Sequence, residues 1–125
     1  MRPQYHFRRV GEDIHIWDVR KLLERAGELP VTPVPLSGIG EIDEPYWFSE
    51  ADRPATCRAI MAHATQVAGV DITYPILLCA EGRVMDGMHR VMKALGDGHD
   101  TIPARQLITT PPPDYLNMAP SDLPY

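Results

Sequence analysis

Cysteine is scarce in this chain: Cys57 and Cys79 are the only two among 125 residues. Both fall at apolar positions of separate elements. They read as buried thiols of a reducing cytoplasm, neither a disulfide pair nor metal ligands. Long apolar runs are missing as well. No stretch approaches the roughly 18 residues of a membrane-spanning helix. The opening "MRPQYHFRRVGEDIHIW" has no apolar signal-peptide core, which argues against secretion and for a cytoplasmic protein. Positive charge is also short. Twelve Lys and Arg face 17 Asp and Glu, a net charge of −5. Duplex binding rests on neutralising phosphates, so this balance argues against non-specific nucleic-acid binding. Arg2, Arg8 and Arg9 form the one local basic patch. The five histidines include no pair at helical i, i+3 or i, i+4 spacing, so a zinc site has little support, even with Asp86 beside His63 and His89. No Ser/His/Asp order stands out.

What is present is an ordinary soluble composition, 44% hydrophobic and 23% charged, at the length of one domain. Thirteen prolines cluster in 30–54 and 111–124, which marks loop and tail. Residues 1–12 read as a polar lead-in. "DIHIW" alternates Ile14 and Ile16 about His15, as a short strand does. Asp18 then caps a helix whose face is Val19, Leu22, Leu23 and Ala26, and Gly27 stops it. "PVTPVPLSGI" reads as extended, with an edge strand near Val34 to Leu36. "EIDEPYWFSEADRP" follows as an acidic, aromatic loop. Trp47 and Phe48 there are expected to cover the core, with base stacking as the alternative.

A second helix is predicted with Asp52 as cap and Pro54 in its first turn. Cys57, Ile60, Met61, Ala64 and Val67 would form its buried stripe, and Gly69 its end. "YPILLC" reads as a buried strand, "AEGR" as a turn, and Val84-Met85 as a second strand. That unit delivers the chain into "DGMHRVMKALGDG", residues 86–98. A third helix starts there, with Met88, Val91, Met92 and Leu95 as its buried stripe. "TIPARQLI" is a last strand. The tail "TTPPPDYLNMAPSDLPY" has too few periodic apolar residues to be core.

The Asp86-Gly87-Met88-His89-Arg90 turn has the local chemistry of a phosphate site. A helix N-terminus presents backbone N–H groups without intrahelical partners at the positive end of its dipole. Gly87 lets an anion approach the backbone. Arg90 brings a planar guanidinium, His89 a further donor, and Lys93 a charge one turn on. Asp86 fits least. It can cap the helix, hold a bridging cation or orient Arg90. A plain tight turn with solvated polar residues is the competing explanation.

The unit "YPILLCAEGRVMDGMHRVMKALGDGHDTIPARQL", residues 74–107, resembles the ParB/sulfiredoxin superfamily in its order of strand, turn, strand, Gly-x-His-Arg, helix and "IPA" strand. A looser likeness runs from "VPLSGI" through "RPATCRAIMAH". The resemblance implies a compact α+β domain over 1–107, with a small mixed sheet flanked by about three helices. Residues 108–125 are then a Pro-rich tail. It implies that Gly87, Met88, His89 and Arg90 hold the phosphates of a nucleotide, ATP or CTP with Mg²⁺. Thr56, Arg58 and His63 on the preceding helix are its further polar candidates. Met88 stands where sulfiredoxins carry their thiol, so sulfinic-acid reduction is not expected. Free-serine kinases of the superfamily add an acidic base, for which Glu41, Asp43 and Glu44 are candidates. Only 18 residues follow Leu107, too few for a DNA-reading module. The expected function is that of a cytoplasmic nucleotide-binding protein, with phosphoryl transfer or nucleotide hydrolysis as its enzyme class. A regulatory module whose tail binds a protein partner is the alternative, and ParB-like nucleic-acid binding the second.

Overall fold

Tyr5–Val10 (β1) and Asp13–Asp18 (β2) pair as an antiparallel hairpin, turning at Gly11, whose φ is +62°. In this computed structural model, which describes residues 4–125, the expected polar lead-in is therefore a strand from Tyr5 onward. The pattern hid it because the inward position is His6, which is buried, so polar and apolar residues alternate in the wrong phase. Arg2 lies outside the described residues.

Asp18 caps the first helix, Val19–Ala26 (α1), accepting from the backbone N–H of Arg20, and Gly27 follows its end. Val19, Leu22 and Ala26 are buried, whereas Leu23 of the expected face is exposed. Thr32–Pro35 (β3) is an edge strand, where Pro33 and Pro35 interrupt pairing least. Two short 3₁₀ turns, Leu36–Gly38 and Gly40–Asp43, lead into the aromatic loop.

The second helix spans Cys57–Gly69 (α2). Its cap is Thr56, whose Oγ1 accepts from the Ala59 N–H at 3.1 Å, and not Asp52. Pro54 consequently precedes the first turn. Thr56 wins because its β-region backbone sets its hydroxyl three residues before an N–H that needs an acceptor. None of the residues of α2 is buried, so the stripe expected from Cys57 to Val67 does not form core.

Ile76–Leu78 (β4), Val84–Asp86 (β5), Met88–Gly96 (α3) and Thr101–Gln106 (β6) complete the expected unit. The strands stand in the order β3-β6-β4-β5, with β4 parallel to β6 and the other pairs antiparallel. This sheet is buried on both faces, which is why β4 reads as an unbroken apolar run. Ile76 and Leu78 face one cluster with Met88, Val91, Ala94 and Ile102. Leu77 and Cys79 face the other, with Trp17, Leu22 and Met85. Met88 and Val91 of the stripe expected on α3 are buried, Met92 is half-buried, and Leu95 is 43% exposed. Ala94 fills the place expected of Leu95.

The tail returns to the fold. Tyr115–Leu116 (β7) pairs antiparallel with β2, so a second sheet of order β1-β2-β7 stands beside the mixed one. Leu123 is buried, and the Tyr5 hydroxyl donates to the Pro124 carbonyl. Cys57 is exposed and Cys79 buried, which corrects the expectation of two core thiols. The domain is thus α+β, with three α-helices and two sheets among the described residues. No helix among the described residues is long and apolar enough to cross a membrane.

Candidate functional site

The N-terminus of α3 is built around Gly87. Its φ of +103° is a left-handed conformation that side chains disfavour. A Cβ there would lie 2.7 Å from Ile76 Cγ2 and 2.8 Å from Arg90 Nη2. Glycine is therefore required by backbone angle and by space. The first intrahelical bond runs from the Val91 N–H to the Gly87 carbonyl, at 3.0 Å. The N–H groups of Met88, His89 and Arg90 precede that bond and have no intrahelical acceptor.

Arg90 folds back over this turn. Its Nη2 donates to Asp86 Oδ2 at 2.9 Å, and its Nη1 to the carbonyl of Pro75 at 2.9 Å and of Tyr74 at 3.3 Å. The guanidinium thus ties the entry to β4, the exit of β5 and the first turn of α3 into one unit. Of the three roles open to Asp86, the structure shows the orientation of Arg90. It is not the helix cap: that position is Gly87, and no side chain caps α3. Lys93 Nζ donates to the Ala68 carbonyl at 3.1 Å, and so closes the C-terminal end of α2.

His89 faces α2. Its Nε2 lies 2.8 Å from His63 Nδ1, and both rings stack on Trp47, with centroids at 4.6 Å and 4.0 Å. Burial lowers the pKa of both imidazoles, and His63 lowers that of His89 further. An N–H···N bond between them requires the accepting nitrogen to be unprotonated, and the lowered pKa of both rings favours the neutral form that supplies it. Trp47 also packs against the core, as expected of it, whereas Phe48 does not join that cluster.

A cleft of about 530 Å³ opens onto this end of α3. Asp86, Gly87, Met88 and His89 line it. Tyr5, Tyr46 and Trp47 supply aromatic walls, with Arg53 and Gln66 also lining it. Arg90 and Lys93 are not among its lining residues, and neither are Thr56, Arg58 and His63. Thr56 is occupied as a cap, His63 meets the site from behind through His89 and Trp47, and Arg58 is exposed on α2. Sequence reasoning missed Arg53, Tyr5 and Gln66 as lining residues. Arg53 sits in the "RPAT" segment before α2 and had no motif to mark it. Tyr5 belongs to the strand that the polar pattern concealed.

A smaller cavity of about 280 Å³ adjoins the cleft, and His6, Phe7 and Tyr46 line both. Glu41 and Glu44 line this second cavity rather than the cleft. The Glu41 carboxylate is buried and accepts from the Val84 N–H. Glu44 pairs with Arg83 at 2.7 Å, which holds its carboxyl below the usual range. His6 is stacked between Trp17 and Tyr46. Its Nδ1 lies 3.4 Å from the Tyr46 hydroxyl, and its Nε2 has no partner among the described residues. Burial, then the charges of Arg8 and Arg83, lowers its pKa to about 3. Comparison of the chain with protein-family models, with curated proteins and with solved structures finds no match.

Proposed function

We propose that the chain binds a nucleotide in the cleft at the N-terminus of α3, with its phosphates at the Gly87 turn. The observation that carries this reading is the juxtaposition of that cleft with the glycine-led helix start. The N–H groups of Met88, His89 and Arg90 form a ready anion site, and the left-handed backbone of Gly87 sets the turn that presents them. The cleft volume lies within the range of small-molecule sites, and its aromatic walls suit the apolar part of such a ligand.

The residues divide the work. Arg53 brings a charged donor to the cleft. Arg90 acts by positioning, since its guanidinium fixes the turn rather than lining the cleft. Asp86 gives Oδ2 to Arg90, which leaves Oδ1 as one carboxylate oxygen for a hydrated Mg²⁺. Such an ion would neutralise phosphate charge when bound. The tail is engaged by β2, Tyr5 and the core, so the cleft rather than the tail supports the reading.

Thermal unfolding and calorimetry with ATP, CTP, GTP and ADP, each with and without Mg²⁺, test it. A ligand at about 100 times its Kd should stabilise the fold by about 2.7 kcal/mol. Arg53→Ala should weaken that ligand on the order of tenfold without lowering the melting temperature of the free protein. Absence of any shift with all four nucleotides would overturn the reading. Product analysis of the nucleotide that binds then separates a phosphotransferase or hydrolase from a binder.

A further inference from the structure

The helix α2 has the composition of a buried helix and the placement of a surface one. Across Cys57–Gly69, Arg58 is the only Lys, Arg, Asp or Glu, yet no residue is buried. Ala59, His63 and Val67, four apart, are half-buried on the side that meets α3. Cys57, Ile60, Met61, Ala64 and Ala68 are exposed on an adjoining face, Ile60 by 48% and Met61 by 62%. An apolar groove of about 330 Å³ continues that face, lined by Ile60, Ala64, Trp47, Phe48 and Met92. Contiguous apolar surface of this kind marks an interaction site.

The charges beside the stripe choose the occupant. Arg58 lies near one end of the helix, and Asp71 lies two residues beyond the other. Both are exposed, and neither makes an ion pair among the described residues. Asp71 accepts only from Thr73. An antiparallel copy of the same helix, on a two-fold axis at Ala64, brings each Arg58 to the Asp71 end of its partner. In that register Ile60 meets Ala68, a large side chain against a small one, and Met61 flanks the seam. Ala64 meets itself, which permits a close crossing. The face is self-complementary, as a two-fold interface must be.

We propose that the protein forms a two-fold homodimer through α2, paired antiparallel about Ala64. Sedimentation and light scattering should give twice the chain mass. Met61→Glu should weaken the dimer at least about tenfold and leave the melting temperature of the monomer unchanged, because Met61 is exposed. Arg58→Asp should weaken it on the order of tenfold, and Arg58→Asp with Asp71→Arg should restore it. A cross-link fixes the register. Ala64→Cys in a Cys57→Ser background should oxidise to a disulfide-linked dimer. Wild-type Cys57 should not, since its two copies would stand about 21 Å apart along the axis. A monomer at all concentrations leaves the face to another protein and overturns the proposal. So does a dimer that survives Met61→Glu, or one that does not cross-link at position 64.

Discussion

Arg90 donates to Asp86 across one turn, at 2.9 Å, while its other amino group holds the Pro75 carbonyl. Both side chains are largely withdrawn from solvent, at 16% and 22% exposed. Removing the guanidinium leaves a carboxylate and a carbonyl short of donors in a poorly hydrated place. Arg90→Ala is therefore expected to destabilise the domain by about 2 kcal/mol. Asp86→Asn keeps one acceptor and should cost about half as much. Urea titration measures both. A loss within experimental error for Arg90→Ala would remove Arg90 as the brace of the turn.

His6 makes stability depend on pH. Its folded pKa of about 3 lies below the ordinary 6.5, so the unfolded chain takes up the proton first. The contribution of the neutral ring is complete above about pH 6.5 and is lost as pH falls toward 3. Burial shifts His63 and His89 in the same direction. The free energy of unfolding should thus drop below pH 6 by about 1.4 kcal/mol per pH unit on account of His6. His6→Phe preserves an aromatic ring between Trp17 and Tyr46 and has nothing to titrate. Its slope should be shallower by one proton. An unchanged slope would show that His6 titrates normally.

Duplex DNA should bind weakly. The count of 12 basic against 17 acidic side chains sets the expectation, and the placement of the cations strengthens it. Arg9 pairs with Glu50, Arg20 with Asp18, Arg83 with Glu44 and Arg90 with Asp86. Arg8 lies over the Trp17 ring. Non-specific binders reach a Kd of about 10⁻⁴ to 10⁻⁶ M at physiological salt by releasing several counterions. This protein should sit at the weak end or beyond it. Submicromolar, steeply salt-dependent affinity in an anisotropy titration would contradict this.

The segment most legible in the sequence is the one whose pattern and placement agree. From Ile76 to Gln106 each strand and helix was readable, because apolar runs and glycines there mark burial and turns directly. The candidate turn was legible for the same reason, down to Gly87. Three features were not. β1 buries a histidine, and a polar residue pointing inward inverts the alternation that identifies a strand. The periodic stripe of α2 is genuine, but periodicity cannot say whether the face it marks meets the core or something else. The fate of Arg90 depends on carbonyls 15 and 16 residues earlier in the chain, which no local motif encodes.

Gly87 offers the sharpest dissection of the site. Two separate costs meet in Gly87→Ala: a φ of +103° and a Cβ 2.7 Å from Ile76 Cγ2. Strain of this kind costs of order 1–3 kcal/mol, and overpacking a core of order 1–3 kcal/mol more. The variant should lose about 3 kcal/mol in total. Ile76→Leu removes the branching methyl that the new Cβ would strike. Alone it should cost about 1 kcal/mol, as a volume-conserving change in a packed core. Combined with Gly87→Ala it should cost less than the two losses added, by about 1 kcal/mol, because the Ile76 contact is relieved while the backbone strain and the contact with Arg90 Nη2 at 2.8 Å remain. Nucleotide affinity of the single variant should fall as well, since the first-turn N–H groups move with the strained residue. Additive stabilities in the double-mutant cycle would mean that the Ile76 methyl does not constrain Gly87. A Gly87→Ala protein that is as stable as the parent would mean that neither constraint operates at this turn.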